Sequence, residues 1–330
     1  MNLLEVKNLK TSFKVDGGSV KAVRGISFSV EYGQSIGIVG ESGCGKSVSM
    51  MSLMRLLPSN ATISAEHIIF QGKEISNKPD SYYQNLRGGK IGMIFQDSMT
   101  SLNPLLTIGE QLSEPLKIHQ GLDHRRAMIK ALEMLNMVEV TNPKGRLKQY
   151  PFELSGGMRQ RVMIAMALSC NPNLLIADEP TTALDVTISA QILALMRELQ
   201  ERLSTSIILI THDLGVVANM CTHIYVVYGG IVVEHGSTYD IFKQPGHPYT
   251  QGLLTCIPGT QLGNKKAKLV PIMGTPPDLI NPPKGCPFTD RCKDAMLVCR
   301  EHMPQEYFNG THMIRCHLLH PFARGLAHHE

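Results

Sequence analysis

With 330 residues, 43% of them hydrophobic and 18% charged, the chain can bury the core of one large domain and a smaller one. A net charge of +4, no Trp, and scattered Phe and Tyr supply neither the basic face nor the stacking platform of a nucleic-acid binder. MNLLEVKNLK does not read as a secretory signal and no run of about 18 apolar residues exists. Its eight Cys therefore suggest a reducing compartment, where clustered thiols are metal ligands more often than disulfides.

Leu3 to Phe13 and Val20 to Val30 alternate around a Gly17-Gly18 turn, which predicts a strand pair. On spacing alone, Phe13 reads as a core or edge aromatic. Ile36 to Val39 is a short buried strand running into Gly40–Ser47, GESGCGKS, which fits G-x-x-x-x-G-K-[ST]. Met50, Leu53, Met54 and Leu57 then recur at helical spacing, with a stop expected at Pro58. Strand, glycine loop and helix together are the setting this motif requires, and they weigh against a chance Gly-rich turn. Gly40, Gly43 and Gly45 allow the backbone N–H groups to face an anion, and the helix N-terminus adds a positive end. Lys46 can reach terminal phosphates and the Ser47 hydroxyl can hold Mg²⁺. At this helix N-terminus the Cys44 thiol is expected to have a lowered pKa, to react with alkylating reagents, and to be protected by nucleotide.

His67 to Phe70 and Lys73 to Ile75 flank Gln71-Gly72 as a hairpin. Ile91 to Phe95 is another apolar strand, ending at Gln96. From about Asp97 to Met166 the pattern is helical, expected to break at Pro104, Pro115, Pro143 and Pro151, with a core stripe of Met128, Ala131, Leu132 and Leu135. Ser155-Gly156-Gly157 opens a helix and is a second, weaker anion-friendly terminus. Leu174 to Ala177 is a buried strand ending in Asp178-Glu179, at the strand end where open α/β sheets bind ligands. Asp178 can take the Mg²⁺ side of a nucleotide site and Glu179 can polarise a water. Ile188, Ile192, Leu195, Leu199 and Leu203 mark a long helix. Ile207 to Ile210 is the next parallel strand, placing His212 at the same sheet end. Ile224 to Tyr228 and Ile231 to Glu234 form a hairpin across Gly229-Gly230. After about Pro245 the chain becomes rich in Pro and Gly. Cys286, Cys292, Cys299 and Cys316 there are spaced C-x5-C-x6-C-x16-C, and a small segment of this kind profits from a metal staple. Four thiolates suit iron–sulfur or Zn²⁺, which spacing alone does not separate. Arg291, Lys293, Arg300 and Arg315 lie beside them in sequence and would offset the negative charge of a cluster, and His317 and His320 are competing ligands.

In this order, the motifs over residues 1 to about 255 resemble the ATPase subunits of ABC transporters. GESGCGKS resembles Walker A, Gln96 in MIFQDSMTSLNP the Q-loop glutamine, and LSGGMRQR the signature. LLIADEP is similar to Walker B followed by the catalytic glutamate, Ala183-Leu184-Asp185 to the D-loop, and His212 in ITHD to the switch histidine. The tail, with HPYTQGLL from His247, GTPPDL from Gly274 and GCPFTDRC from Gly285, resembles the C-terminal extension of oligopeptide/dipeptide importer ATPases.

The resemblance implies an α/β P-loop ATPase with a mixed sheet core, an N-terminal antiparallel β part and a helical subdomain at about 97–166. Residues 1–250 would form this domain and 251–330 the four-Cys extension. It implies ATP hydrolysis coupled to uptake of peptides, or in a sister system of nickel or another small solute; a soluble ABC ATPase outside transport is the distant alternative. Phe13 would stack on adenine, revising its core reading, and Ser42, Gly43, Cys44, Gly45, Lys46, Ser47 and Val48 would hold the phosphates. Ser47, Gln96 and Asp178 would serve Mg²⁺, and Glu179, His212 and Lys46 the chemistry. Ser155, Gly156 and Gly157 would close on the ATP of a partner subunit. The four cysteines would hold a [4Fe–4S] cluster, with Zn²⁺ as alternative. The implied partners are a paralogous ATPase, two transmembrane permease subunits and an extracytoplasmic peptide-binding protein, with no nucleic acid. The expected location is peripheral, on the cytoplasmic face of the plasma membrane.

Overall fold

The structure, a computed structural model, describes residues 1–97, 101–182, 184–256 and 271–321. Its strands are β1 Asn2–Val15, β2 Gly18–Glu31, β3 Ser35–Val39, β4 Ala61–Ser64, β5 His67–Phe70, β6 Lys73–Glu74, β7 Ile91–Ile94, β8 Leu174–Asp178, β9 Ser206–Thr211, β10 His223–Tyr228, β11 Ile231–Ser237, β12 Tyr307–Asn309 and β13 His312–Ile314. The chain divides into two compact units. One comprises residues 1–3, 30–35 and 77–210; the other comprises 4–29, 36–76 and 211–330.

In the unit holding the phosphate loop, β1 runs between β2 and β5, with β4 antiparallel to its second half and β6 beyond β5. The Gln71-Gly72 turn has positive φ at both residues, as a two-residue hairpin requires. A second set of strands is mixed. β3 is parallel to β10, β10 antiparallel to β11, and β13 pairs antiparallel with both β11 and β12. All five residues of β3 are buried, which accounts for its unbroken apolar run. The cysteine-bearing extension thus contributes β13 to this sheet, a pairing its loop-like sequence does not announce.

The other unit places β7, β8 and β9 side by side and parallel. Its helices include Ile108–Gln120, His124–Met137, Gly156–Leu168 and Val186–Leu203.

Three expectations are corrected. Pro115 does not break its helix but sits inside Ile108–Gln120. An interior proline costs about 3 kcal/mol. Full burial of Ile108, Leu112 and Leu116 on the same helix contributes about 1.5–3 kcal/mol each and outweighs it. The helix after the phosphate loop spans Lys46–Leu53 and ends before Pro58, because Arg55 turns left-handed at φ 50°. In His124–Met137 the buried stripe is Ala127, Ala131, Met134 and Leu135, with Met128 and Leu132 only half-buried. β4 and the helix Asp80–Leu86 were not legible from the sequence pattern.

Candidate functional site

The phosphate loop is built where β3 gives way to the helix Lys46–Leu53. Two of its glycines are sterically required. A Cβ on Gly40 would stand 2.2 Å from the Val227 carbonyl oxygen, and one on Gly45, at φ 100°, would stand 2.4 Å from the Ala22 carbonyl. Lys46 is buried; its Nζ donates to the carbonyls of Gly40 at 2.7 Å and Glu41 at 2.9 Å. The ammonium is therefore held folded over the loop. Ser42 and Gly43 are exposed, Ser47 and Val48 half-buried, and Gly45 buried.

Cys44 departs from expectation. It is buried, and burial pushes its thiol up despite the Lys46 ammonium, whose Nζ lies 3.8 Å from Sγ. Desolvation of the thiolate outweighs the helix end and the cation. Phe13 lies half-buried in the same unit, near the end of β1 and opposite Ala61 of β4. His212 is exposed after β9, just ahead of Asp213, which caps Leu214–Met220 by accepting from Gly215 N at 2.7 Å.

In the other unit, Asp178 ends β8 in register with Ile210 of β9 and is buried. Glu179 follows with a left-handed φ of 46°, a strained conformation for this residue type, and its N–H donates to the Ile210 carbonyl at 2.9 Å. Gln96 and Thr182 both donate to Glu179 Oε2, at 2.8 and 2.9 Å. The Gln96 and Glu179 readings thus converge on one contact, which residue spacing did not reveal. Ser155 caps Gly156–Leu168 and is exposed. A Cβ on Gly157 would stand 2.9 Å from Ile188 Cγ2, so Gly156–Leu168 starts against Val186–Leu203, which Asp185 caps. Ala183 and residues 98–100 of SMTSLNP lie outside the described residues.

The four tail cysteines line one small cavity together with His247, Phe288, Thr289, Asp294 and His317. Burial, reinforced by the other thiols, pushes Cys316 up to about 12 and Cys286 to about 11. His247 Nδ1 accepts from Tyr249 N at 3.0 Å, so its Nε2 carries the proton; this buried Nε2–H has no partner among the described residues. Among the described residues, no three His, Cys, Asp or Glu are gathered to hold a metal ion. One expectation about a flanking side chain changes: Arg291 is committed to Glu41 rather than to the thiols. His317, which lines the cavity, has its Nε2 2.9 Å from the His302 carbonyl.

The ABC transporter family matches residues 23–182, and the family of the oligopeptide/dipeptide transporter C-terminal region matches residues 233–299. The dipeptide transport ATP-binding protein of Bacillus subtilis is 51% identical over 318 residues, covering 96% of this chain and 94% of its own. This chain belongs to the oligopeptide/dipeptide transport ATP-binding proteins of the ABC family. Another relative of this ABC protein, the oligopeptide transport ATP-binding protein of Salmonella typhimurium, is 48% identical over 314 residues, covering 95% of this chain and 93% of its own. Among solved structures, a dimeric ATP-binding cassette in a post-hydrolysis state, bound to ADP and Pi, matches with a TM-score of 0.64 at 28% identity. It covers 71% of this chain and 98% of the other. No helix among the described residues of the ABC protein is long and apolar enough to cross a membrane.

Proposed function

We propose that this chain is the ATP-binding and ATP-hydrolysing subunit of an ABC importer that drives uptake of di- or oligopeptides. The observation that carries the reading is Lys46 held over a glycine-built phosphate loop, in a chain whose extension is of the peptide-transporter kind. Residues 1–250 act as the ATPase, with the helical subdomain at about 97–166 as the contact for a membrane subunit, and 251–330 as the extension. ATP enters with its phosphates on the N–H groups of Ser42 to Val48 and with adenine against Phe13. Lys46 exchanges its loop carbonyls for phosphate oxygens. Ser47, Gln96 and Asp178 would hold Mg²⁺, which when bound would neutralise phosphate charge. Glu179 orients the attacking water and takes its proton, while His212 holds the terminal phosphate. Ser155, Gly156 and Gly157 serve the ATP of a second, paralogous ATPase subunit, so that ATP joins the pair and its hydrolysis releases them.

The partners are two permease subunits and an extracytoplasmic peptide-binding protein, and the chain works at the cytoplasmic face of the plasma membrane by docking to the permeases. A sister system for nickel or another small solute uses the same machinery and is the second reading. Affinity purification of the tagged chain from membranes should bring down two hydrophobic permeases and a second ATPase. Uptake of a labelled dipeptide should be lost on deletion and restored by the intact gene. Nickel uptake lost in its place would establish the second reading.

We also infer that the four cysteines hold an iron–sulfur cluster in preference to zinc. All four thiols line one small cavity, and four thiolates are the ligand set of such a cluster. The unpartnered His247 Nε2–H suits a sulfur acceptor there. A cluster would supply a structural cross-link between the cysteine loops. Anaerobically purified protein should contain iron and acid-labile sulfide and absorb in the visible, with loss of colour in Cys292→Ser; stoichiometric zinc without iron would overturn this.

A further inference from the structure

Glu41, the second residue of the phosphate loop, is gripped from two directions, by Arg291 of the C-terminal extension and by Tyr249 just before it. Its carboxylate receives both arms of one guanidinium, Arg291 Nη1 to Oε2 at 2.6 Å and Nη2 to Oε1 at 3.0 Å. Its backbone N–H donates to the Tyr249 hydroxyl at 2.8 Å. The ion pair is well removed from water, with side-chain exposures of 5% for Arg291 and 27% for Glu41.

Arg291 has no freedom to spare. Its remaining N–H groups donate to the Tyr228 hydroxyl at 3.1 Å, the Ile272 carbonyl at 3.1 Å and, from Nε, the Met273 carbonyl at 2.9 Å. All five guanidinium donors are thereby used. The guanidinium also lies over the Tyr228 and Phe288 rings, 5.7 and 5.9 Å from their centroids.

The same anchor reaches the cysteine cavity. Arg291 directly precedes Cys292. Phe288, between Cys286 and Cys292, packs on Tyr228 at 5.2 Å, Tyr249 at 5.3 Å and His247 at 5.9 Å. The His247-Pro248-Tyr249 turn is consequently two-ended. His247 lines the cavity, while Tyr249 holds the phosphate loop. At the loop, Glu41 contributes one of the two carbonyls that hold Lys46. A shift of Glu41 would displace the partners of the phosphate-binding ammonium.

We propose that Arg291 and Tyr249 are positioning residues of the phosphate loop, and that through them the four-cysteine loop sets affinity for nucleoside triphosphate. This rests on the reading of Gly40–Ser47 as the ATP site. The loop and its C-terminal clamp act as one element: bidentate pairing fixes the direction of the Glu41 side chain, and the tyrosine hydroxyl fixes its peptide plane.

The test uses the full-length protein, a fluorescent ATP analogue with Mg²⁺, and thermal melts to establish that each variant is folded. Arg291→Gln, and Tyr249→Phe, which removes a single oxygen, should each weaken analogue binding by at least about fivefold. Arg291→Lys, which keeps the charge and loses the fork, should fall between Arg291→Gln and wild type. Glu41→Gln combined with Arg291→Gln should be no weaker than the worse single variant, since both remove one contact. Cys292→Ser should weaken binding in the wild-type background and add nothing in the Arg291→Gln background. Folded Tyr249→Phe and Arg291→Lys variants that bind like wild type would overturn the proposal, and so would an additive Cys292→Ser effect. Wild-type protein that fails to bind the analogue would instead remove the nucleotide reading itself.

Discussion

Gln96 Nε2 donates to Glu179 Oε2 at 2.8 Å, and the Thr182 hydroxyl donates to the same oxygen at 2.9 Å. Glu179 is thus a carboxylate aimed by two donors on one oxygen, on a backbone held at positive φ. A general base needs this fixed direction more than it needs an unusual pKa. Glu179→Gln should retain ATP binding and lose turnover by roughly 10²–10⁴-fold. Gln96→Ala should lower kcat by about 10- to 100-fold with a smaller change in KM, because the carboxylate remains but loses its aim. Steady-state ATPase kinetics alongside equilibrium nucleotide binding check both, and near-normal turnover of Glu179→Gln would remove its catalytic role.

Gly40 makes a second prediction. The β10–β11 pairing shifts register between Val226 and Val227, and the Val227 carbonyl is the atom a Cβ at position 40 would strike. Backbone cannot yield there as a flexible side chain would. Gly40→Ala should cost about 2–3 kcal/mol of unfolding free energy in urea titrations and abolish measurable nucleotide binding. Gly43→Ala meets no atom within 4 Å and carries only the conformational cost of φ 77°; it should be the milder substitution in the same assays.

Alkylation should rank the cysteines by burial rather than by their distance from cations. Cys256 is exposed, while Cys44 and Cys221 are buried, with thiols pushed up by desolvation, Cys221 to about 12. Iodoacetamide at pH 8, followed by peptide mass spectrometry, should label Cys256 first and Cys44 only after denaturation. Labelling of Cys44 as fast as Cys256 would restore the picture of an activated thiol.

On the β10–β11 hairpin, His223 Nε2 and His235 Nδ1 lie 3.2 Å apart, a distance that needs a proton on only one of the two atoms. Burial, then the neighbouring His223 and His312, hold His235 down to about 4; burial also lowers His223, against the opposing pull of Asp240. In the unfolded chain both titrate near 6.5. Their folded pKa values are depressed, so the unfolded state takes up more protons below that pH. The contribution to stability is complete above about pH 6.5 and is lost progressively toward pH 4. Melting temperatures should fall between pH 7 and pH 5, and His235→Gln should flatten that dependence. Equal slopes for the two proteins would show that the pair is not responsible.

Much of this was legible because the chemistry is local in sequence. The phosphate loop, the Asp178-Glu179 strand end and the Gly229-Gly230 turn each need a few adjacent residue types. The elements missed were those decided at a distance. Pro115 stays helical because of what its helix buries, and the Cys44 thiol is pushed up because of what covers it. The bond from Gln96 to Glu179 joins residues 83 positions apart. Arg291 reads in sequence as a cation serving the thiols next to it. Only the fold brings it to a carboxylate 250 positions away, where a bidentate fit outweighs proximity along the chain.

β13 has a bearing on how the chain tolerates being cut. Glu234 and His235 of β11 pair with Ile314 and Met313, and Glu234, fully buried, also accepts from Gly246 N at 2.7 Å and His247 N at 3.0 Å while contacting His312 Nε2 at 2.8 Å. A protein ending near residue 250 would keep every nucleotide motif yet lose His312 from that carboxylate and bare the rim of β11. An uncapped strand rim of this kind recruits other chains, so the truncated protein should precipitate or assemble through β11 even with its phosphate loop sequence intact.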